Sequence, residues 1–154
     1  MKKIFSWLLL VLILAFSVLP VCAEFQNPSI VDNAGYLMES ELSSLSQELD
    51  EIREKYDFDV AIYTESDMTS DTALDSADDI YDYNGYGAGE NDDGILLYIC
   101  SDTREYHFTT HGKGSKYFNS NGLKYLEDRV VAHLIENDYY KAFKTYINTA
   151  DELL

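Results

Sequence analysis

The chain has 154 residues, with 28 acidic side chains against 11 basic ones and a formal net charge of −17. Such a charge excludes nucleic acid and anionic membrane surfaces as partners and favours cations and basic proteins. With 46% apolar and 14% aromatic residues, the sequence is also too hydrophobic for a disordered chain and suits a packed domain.

The first residues, Met1-Lys2-Lys3, precede an apolar run from Ile4 to Leu19 and then Pro20-Val21-Cys22-Ala23. A basic start, a short apolar region and small residues at a cleavage point predict a signal peptide over residues 1–23. The alternatives are an uncut membrane anchor and a lipoprotein modified at Cys22, although Val21 directly before the cysteine fits that pattern poorly. The protein is therefore expected to be secreted or displayed on the extracytoplasmic face of the cell membrane. Cleavage after Ala23 leaves 131 residues with a net charge of −19, enough for one domain with a proper core. Cys100 is then the remaining cysteine, which excludes an intramolecular disulfide. No second hydrophobic span follows.

Residues 24–29 read as a linker and residues 30–154 as the domain. Ile30 to Gly35 is an extended segment ending in a turn. Leu42, Leu45, Leu49, Ile52 and Tyr56 recur at spacings of three and four, predicting a helix over Glu39 to Tyr56. Asp59 to Thr64 reads as a strand. Thr72 and Asp75 form a capping box that opens a second helix with Ala73, Ala77, Ile80 and Tyr81 on its apolar side, and Asn84-Gly85 closes it. A glycine-rich loop, Gly85 to Gly89, leads to Asn91-Asp92-Asp93-Gly94 and then to the apolar run Ile95 to Cys100, a buried strand. Arg104 to Thr110 alternates polar and apolar residues and pairs with that strand as a hairpin. After a second glycine loop, His111-Gly112-Lys113-Gly114, one helix carries Leu123, Leu126, Val130 and Leu134. Another, capped by Asp138, carries Tyr140, Phe143, Ile147 and Ala150. Strands interleaved with helices give an α/β fold, with helices layered on a small mixed sheet.

The acidic turn is the most suggestive chemical feature. Thirteen Asp and Glu and no Lys or Arg fall between Tyr56 and Thr103, so nothing nearby in sequence neutralises Asp92 and Asp93. An EF-hand is excluded, because with Gly94 at the sixth loop position the first and twelfth would be Gly89 and Cys100. A different cation site, built from Asp92, Asp93 and an outside acid of which Asp32 is the best candidate, competes with a simply solvated turn. The glycine loops, including Gly112 and Gly114, could cradle an anion through backbone N–H groups, but they match neither phosphate-loop nor dinucleotide fingerprints. Of the histidines, His107 and His133 read as ordinary and His111 is the one placed to act as acid or base.

Taken together, several stretches resemble the TPM domain family. They are Val31-Asp32-Asn33-Ala34-Gly35-Tyr36-Leu37, Asp93-Gly94-Ile95-Leu96-Leu97-Tyr98 with Asp102-x-Arg104, Thr110-x-Gly112-x-Gly114, and Asn137-Asp138-Tyr139-Tyr140-x-Ala142-Phe143. The resemblance spans residues 30–154. It implies a three-layer α/β/α sandwich with a small mixed central sheet, an extracytoplasmic location and frequent tethering to a membrane. It further implies a divalent cation, calcium first and magnesium second, on Asp32, Asp92 and Asp93 beside the Gly112–Gly114 loop. Some relatives are acid phosphatases, which implies a metal-assisted reaction in which Lys113 or Arg104 would stabilise charge. One departure weighs against turnover: where the family carries Thr-Asp before the third long helix, this chain has Asn119-Ser120-Asn121. The reading is thus a cation-binding interaction module for an unidentified protein partner, with a membrane protein or complex as the candidate. A metal-assisted phosphatase and a purely structural acidic domain are the alternatives.

Overall fold

A computed structural model describes residues 27–154. The predicted signal peptide and the first part of the predicted linker lie outside the described residues. The last part of that linker is already joined to the domain. Ser29 is buried and its hydroxyl donates to Asp50 Oδ1 at 2.6 Å, while the Asn27 carbonyl accepts from Arg53 Nη1.

The element order is β1 (Ile30–Asp32), α1 (Glu39–Tyr56), β2 (Asp59–Glu65), α2 (Ala73–Asn84), a 3-10 turn (Gly89–Asn91), β3 (Gly94–Cys100), β4 (Tyr106–His111), the short α3 (Gly114–Tyr117), α4 (Ser120–Ile135) and α5 (Tyr139–Leu153). The strands form one sheet in the order β1-β2-β3-β4, with β1, β2 and β3 parallel and β4 antiparallel to β3. This is the expected α/β/α sandwich on a small mixed sheet. Among the described residues no helix is long and apolar enough to cross a membrane.

Local chemistry accounts for the boundaries. α1 starts after Met38, which has no side-chain oxygen to offer, so Glu41 Oε2 reaches back and accepts from the Met38 N–H at 2.9 Å. Thr72 caps α2 by accepting from the Asp75 N–H, and Gly85 ends it at φ 69°, the left-handed conformation that costs glycine least. Asn119 caps α4, its Oδ1 accepting from Asn121 and Gly122 N–H groups, and Asp138 caps α5. β4 starts two residues later than the alternation predicts because Arg104, at φ 62°, turns the hairpin rather than extending it.

β3 is buried along its whole length, which is why it reads as an unbroken apolar run. Ile95, Leu97 and Ile99 point to the larger core, formed with α1, α4 and α5. Leu96, Tyr98 and Cys100 point to the smaller one, formed with α2. Both parallel crossovers step the same way across the sheet yet lie on opposite faces. One of them is therefore left-handed, against a preference for right-handed crossovers of about 98%. α2 packs mainly over β3 and β4. The same helix also covers Ala61 of β2, which is fully buried in the smaller core.

Candidate functional site

Strand register decides where the predicted acids go. Asp32 ends β1 and pairs with Thr64, which pairs with Ile99, near the carboxyl end of β3. Asp93 precedes Gly94, which pairs with Asp59 at the amino end of β2. Six residues of strand separate the two levels, about 20 Å at about 3.3 Å per residue. The structure therefore does not bring Asp32 together with Asp92 and Asp93. Among the described residues no three His, Cys, Asp or Glu side chains converge to hold a metal ion.

Each of the three acids has a different task. Asp32 fixes the chain after β1, its Oδ1 accepting from the Thr64 hydroxyl at 2.6 Å and its Oδ2 from the Leu37 N–H at 2.8 Å. Asp92 takes the left-handed conformation at φ 52° and exposes its carboxylate, while its carbonyl accepts from the Tyr81 hydroxyl at 2.9 Å. Asp93 is only 3% exposed. Its Oδ1 accepts from the Lys113 N–H at 2.6 Å, and its Oδ2 lies 2.6 Å from Lys113 Nζ. That cation, followed by the amide, holds the Asp93 carboxyl below the ordinary range, and Asp93 in turn raises the Lys113 ammonium. Asp93 is thus neutralised, by a lysine twenty residues further on that sequence proximity did not reveal.

The second glycine loop does face Asp93, as predicted, but the anion it holds is the protein's own. A Cβ on Gly112 would run into Asp93 Oδ1 and come within 2.6 Å of the Asn91 carbonyl oxygen, and one on Gly114 would strike the Gly94 carbonyl oxygen. Gly112 also sits at φ 54°. Both glycines exist for close approach between this loop and the acidic turn. Arg104, proposed with Lys113 as a charge stabiliser, lies at the far end of the sheet and donates to Asn137 Oδ1 at 2.7 Å.

A second buried pair accompanies Asp93. Arg53 Nη2 lies 2.6 Å from Asp59 Oδ1, and Asp59 Oδ2 accepts from the Gly87 N–H at 2.9 Å. Neither residue was singled out in the sequence, although one signal was present. Leu45, Leu49 and Arg53 follow one another at intervals of four, so the arginine lies on the apolar stripe of α1 and must find a buried partner.

Four more acids of the cation-free window, Asp75, Asp78, Asp79 and Asp82, lie on α2. Asp78 accepts from the Thr109 hydroxyl, and Asp79 Oδ2 accepts from the Ser70 hydroxyl at 2.6 Å. Asp75 Oδ2 accepts from the Thr72 hydroxyl at 2.7 Å. Asp82 has His111 Nδ1 at 4.0 Å, and the His111 ring stacks on Tyr81 with centroids 4.0 Å apart. Burial first, then the Asp59, Asp92, Asp93 and Asp82 carboxylates, push the Tyr81 hydroxyl far up, which keeps it protonated as the donor to Asp92. Among the described residues none of the four α2 aspartates forms an ion pair with Lys or Arg. The opposite layer is laced with such pairs, including Lys55 with Asp151 at 2.8 Å, Lys144 with Glu48, and Lys124 with Asp128 at 3.0 Å.

A four-stranded mixed sheet between a three-helix layer and a single helix, with an Asp-Gly turn clamped by a glycine loop, defines a small α/β/α domain of the TPM type. The chain belongs to the TPM domain family, which it matches over residues 30–153. It is 25% identical over 154 residues to the UPF0603 protein YdjH of Bacillus subtilis (strain 168), covering 96% of this chain and 58% of that relative. The chain thus spans little more than half the length of that protein. Among solved structures it is similar to the N-terminal domain of a protein from P. gingivalis, with TM-score 0.73, 20% identity and 86% and 85% of the two chains covered. The N-terminal domain of the cg2496 protein from Corynebacterium glutamicum has TM-score 0.67 at 12% identity, with 88% and 85% covered. The BA42 protein from Bizionia argentinensis has the same score and identity, with 77% and 81% covered. At these identities the structures share the fold alone.

Proposed function

We propose that this TPM domain is an extracytoplasmic interaction module that recruits a basic protein partner through the acidic face of α2, and that it does not catalyse phosphate hydrolysis. One observation carries the reading: Asp75, Asp78 and Asp79 on α2 are positioned by neutral hydroxyls, and none of the four α2 aspartates is paired with a Lys or Arg among the described residues. Asp75 and Asp79, and Asp78 and Asp82, are like charges four residues apart on a helix, an arrangement that costs stability. Asp82 also sits in the last turn, at the negative end of the helix dipole. Acids kept against their own repulsion make sense where an incoming cation relieves it.

The phosphatase alternative lacks assembled parts. Lys113 is spent on Asp93, Arg104 lies at the far end of the sheet, and Asp32 is remote from the acidic turn. The extracytoplasmic placement rests on the signal-peptide pattern of residues 1–23.

Two measurements on residues 27–154 test this. Binding of an oligo-arginine peptide should weaken steeply with salt and fall when Asp78 and Asp82 are changed to Asn. Hydrolysis of an aryl phosphate in millimolar calcium or magnesium should not exceed that of the Asp93→Asn variant. Turnover clearly above that variant restores the enzyme reading, and salt-independent binding removes the electrostatic one.

A further inference from the structure

Beside the acidic face lies a groove of about 330 Å³, lined by Tyr63, Thr69, Ser70, Asp79, Ile80 and Tyr83. It opens where Tyr63 of β2 and the Thr69–Ser70 segment meet the carboxyl half of α2. Its size falls at the lower end of ligand pockets, about 300–1,000 Å³, which is room for one or two side chains.

The lining has two characters. Ile80 is buried and supplies an apolar floor. Tyr63 is partly buried, and its hydroxyl accepts from Asn33 Nδ2 at 3.3 Å, which fixes the ring as a wall. Tyr83 is 86% exposed, an aromatic ring held in water by a helix whose other aromatic, Tyr81, is fully packed. Asp79 is oriented by the Ser70 hydroxyl, which donates to its Oδ2 at 2.6 Å. An apolar floor, aromatic rings and a fixed carboxylate are the parts that recognise a guanidinium flanked by an apolar side chain.

Resting on the interaction reading above, we propose that this groove takes an extended, arginine-bearing segment of a partner protein. The guanidinium pairs with Asp79 and stacks on Tyr83, and a neighbouring apolar side chain sits on Ile80. Charge complementarity selects this occupant, since the surrounding Asp75, Asp78 and Asp82 repel acidic or neutral-acidic segments and raise the encounter rate of basic ones.

Residues 27–154 suit the test, because they contain both core clusters of the described residues and similar N-terminal domains have been solved by solution NMR. The probe is a capped octapeptide of alternating Arg and Leu, with Arg-Gly and Glu-Leu octapeptides as comparisons, followed by amide NMR. Shifts should localise to Tyr63, Ser70, Ile80 and Tyr83. Tyr83→Ala should keep the melting temperature and weaken binding about five- to tenfold, with Tyr83→Phe restoring it, as loss and return of a ring under a cation require. Shifts that map elsewhere, or a Tyr83→Ala variant that binds normally, overturn the proposal. Equal binding of Arg-Gly and Arg-Leu peptides overturns the groove while leaving the acidic-face reading intact. Failure of every basic peptide to bind overturns both. A chain begun at Glu24 that no longer binds the probe identifies the groove's occupant as this chain's own N-terminal segment, and that also overturns it.

Discussion

The amino end of the sheet and the outer face of α2 draw on the same aspartate-rich stretch, yet they treat charge in opposite ways. At the sheet end Asp59 and Asp93 are buried and each meets a cation, Arg53 and Lys113 respectively. On α2 the aspartates stay nearer water, with Asp75, Asp78 and Asp79 meeting hydroxyls and Asp82 lying beside His111. The difference teaches that acidity alone does not mark a binding site. A buried carboxylate must be paired for the fold to exist, because an unpaired buried charge costs several kcal/mol. A half-exposed one can be left uncompensated at a small cost, and that is where an external cation finds something to bind.

Breaking the paired end should have the largest effect. Asp59→Ala removes the buried carboxylate facing Arg53 and the acceptor for Gly87, and should lower unfolding free energy by about 3–5 kcal/mol in chemical denaturation. A loss within surface-mutation range, about 0.5 kcal/mol, would show that the buried pair is not structural. Next comes Gly112→Ala. It puts a Cβ against Asp93 and an L-residue at φ 54°, and should cost about 1–3 kcal/mol, with the Asp93 to Lys113 contact disturbed as well.

The Lys113 to Asp93 pair gives a pH signature. The Asp93 carboxyl is depressed by Lys113, so its contribution is fully present above the unfolded value of about 3.9 and is lost as pH falls through the lower folded value. The Lys113 ammonium is raised, so its contribution is complete below about 10.4 and fades as pH climbs through the folded value. Lys113→Met should melt lower than the wild type at pH 7, and its melting temperature should fall less steeply as pH drops below about 5, because without the lysine there is no Asp93 contribution left to lose. Superimposable acid limbs would mean that the lysine does not neutralise Asp93.

The smallest effect sharpens the comparison by its sign. Asp82→Asn removes a like-charge neighbour of Asp78 and an acid from the negative end of α2, and should stabilise the domain by about 0.3–0.5 kcal/mol while weakening basic-peptide binding. If it destabilises instead, the α2 acids serve the fold after all and the contrast between the two regions disappears.

Much of the fold was legible in the sequence. The three-four spacing of Leu42, Leu45, Leu49, Ile52 and Tyr56 located α1, and Thr72, Gly85 and Asp138 marked helix ends because capping is local chemistry. The run from Ile95 to Cys100 announced a strand covered on both faces. The site was legible only in part. The meeting of the second glycine loop with Asp93 was foreseen, but its meaning was not, since nothing local says that Lys113 closes on that acid.

By itself the sequence determined which segments are helix and strand, that they make an α/β layered domain, and that the charge is overwhelmingly negative. Those properties depend on neighbours within a few residues or on a simple sum. Only the tertiary structure decided that Asp32 and Asp93 stand at opposite ends of the sheet, that the crossovers lie on opposite faces, and that Arg53 and Lys113 neutralise one acidic region while α2 is left bare. Strand register and crossover side are set by how whole faces pack, and no spacing along the chain encodes them.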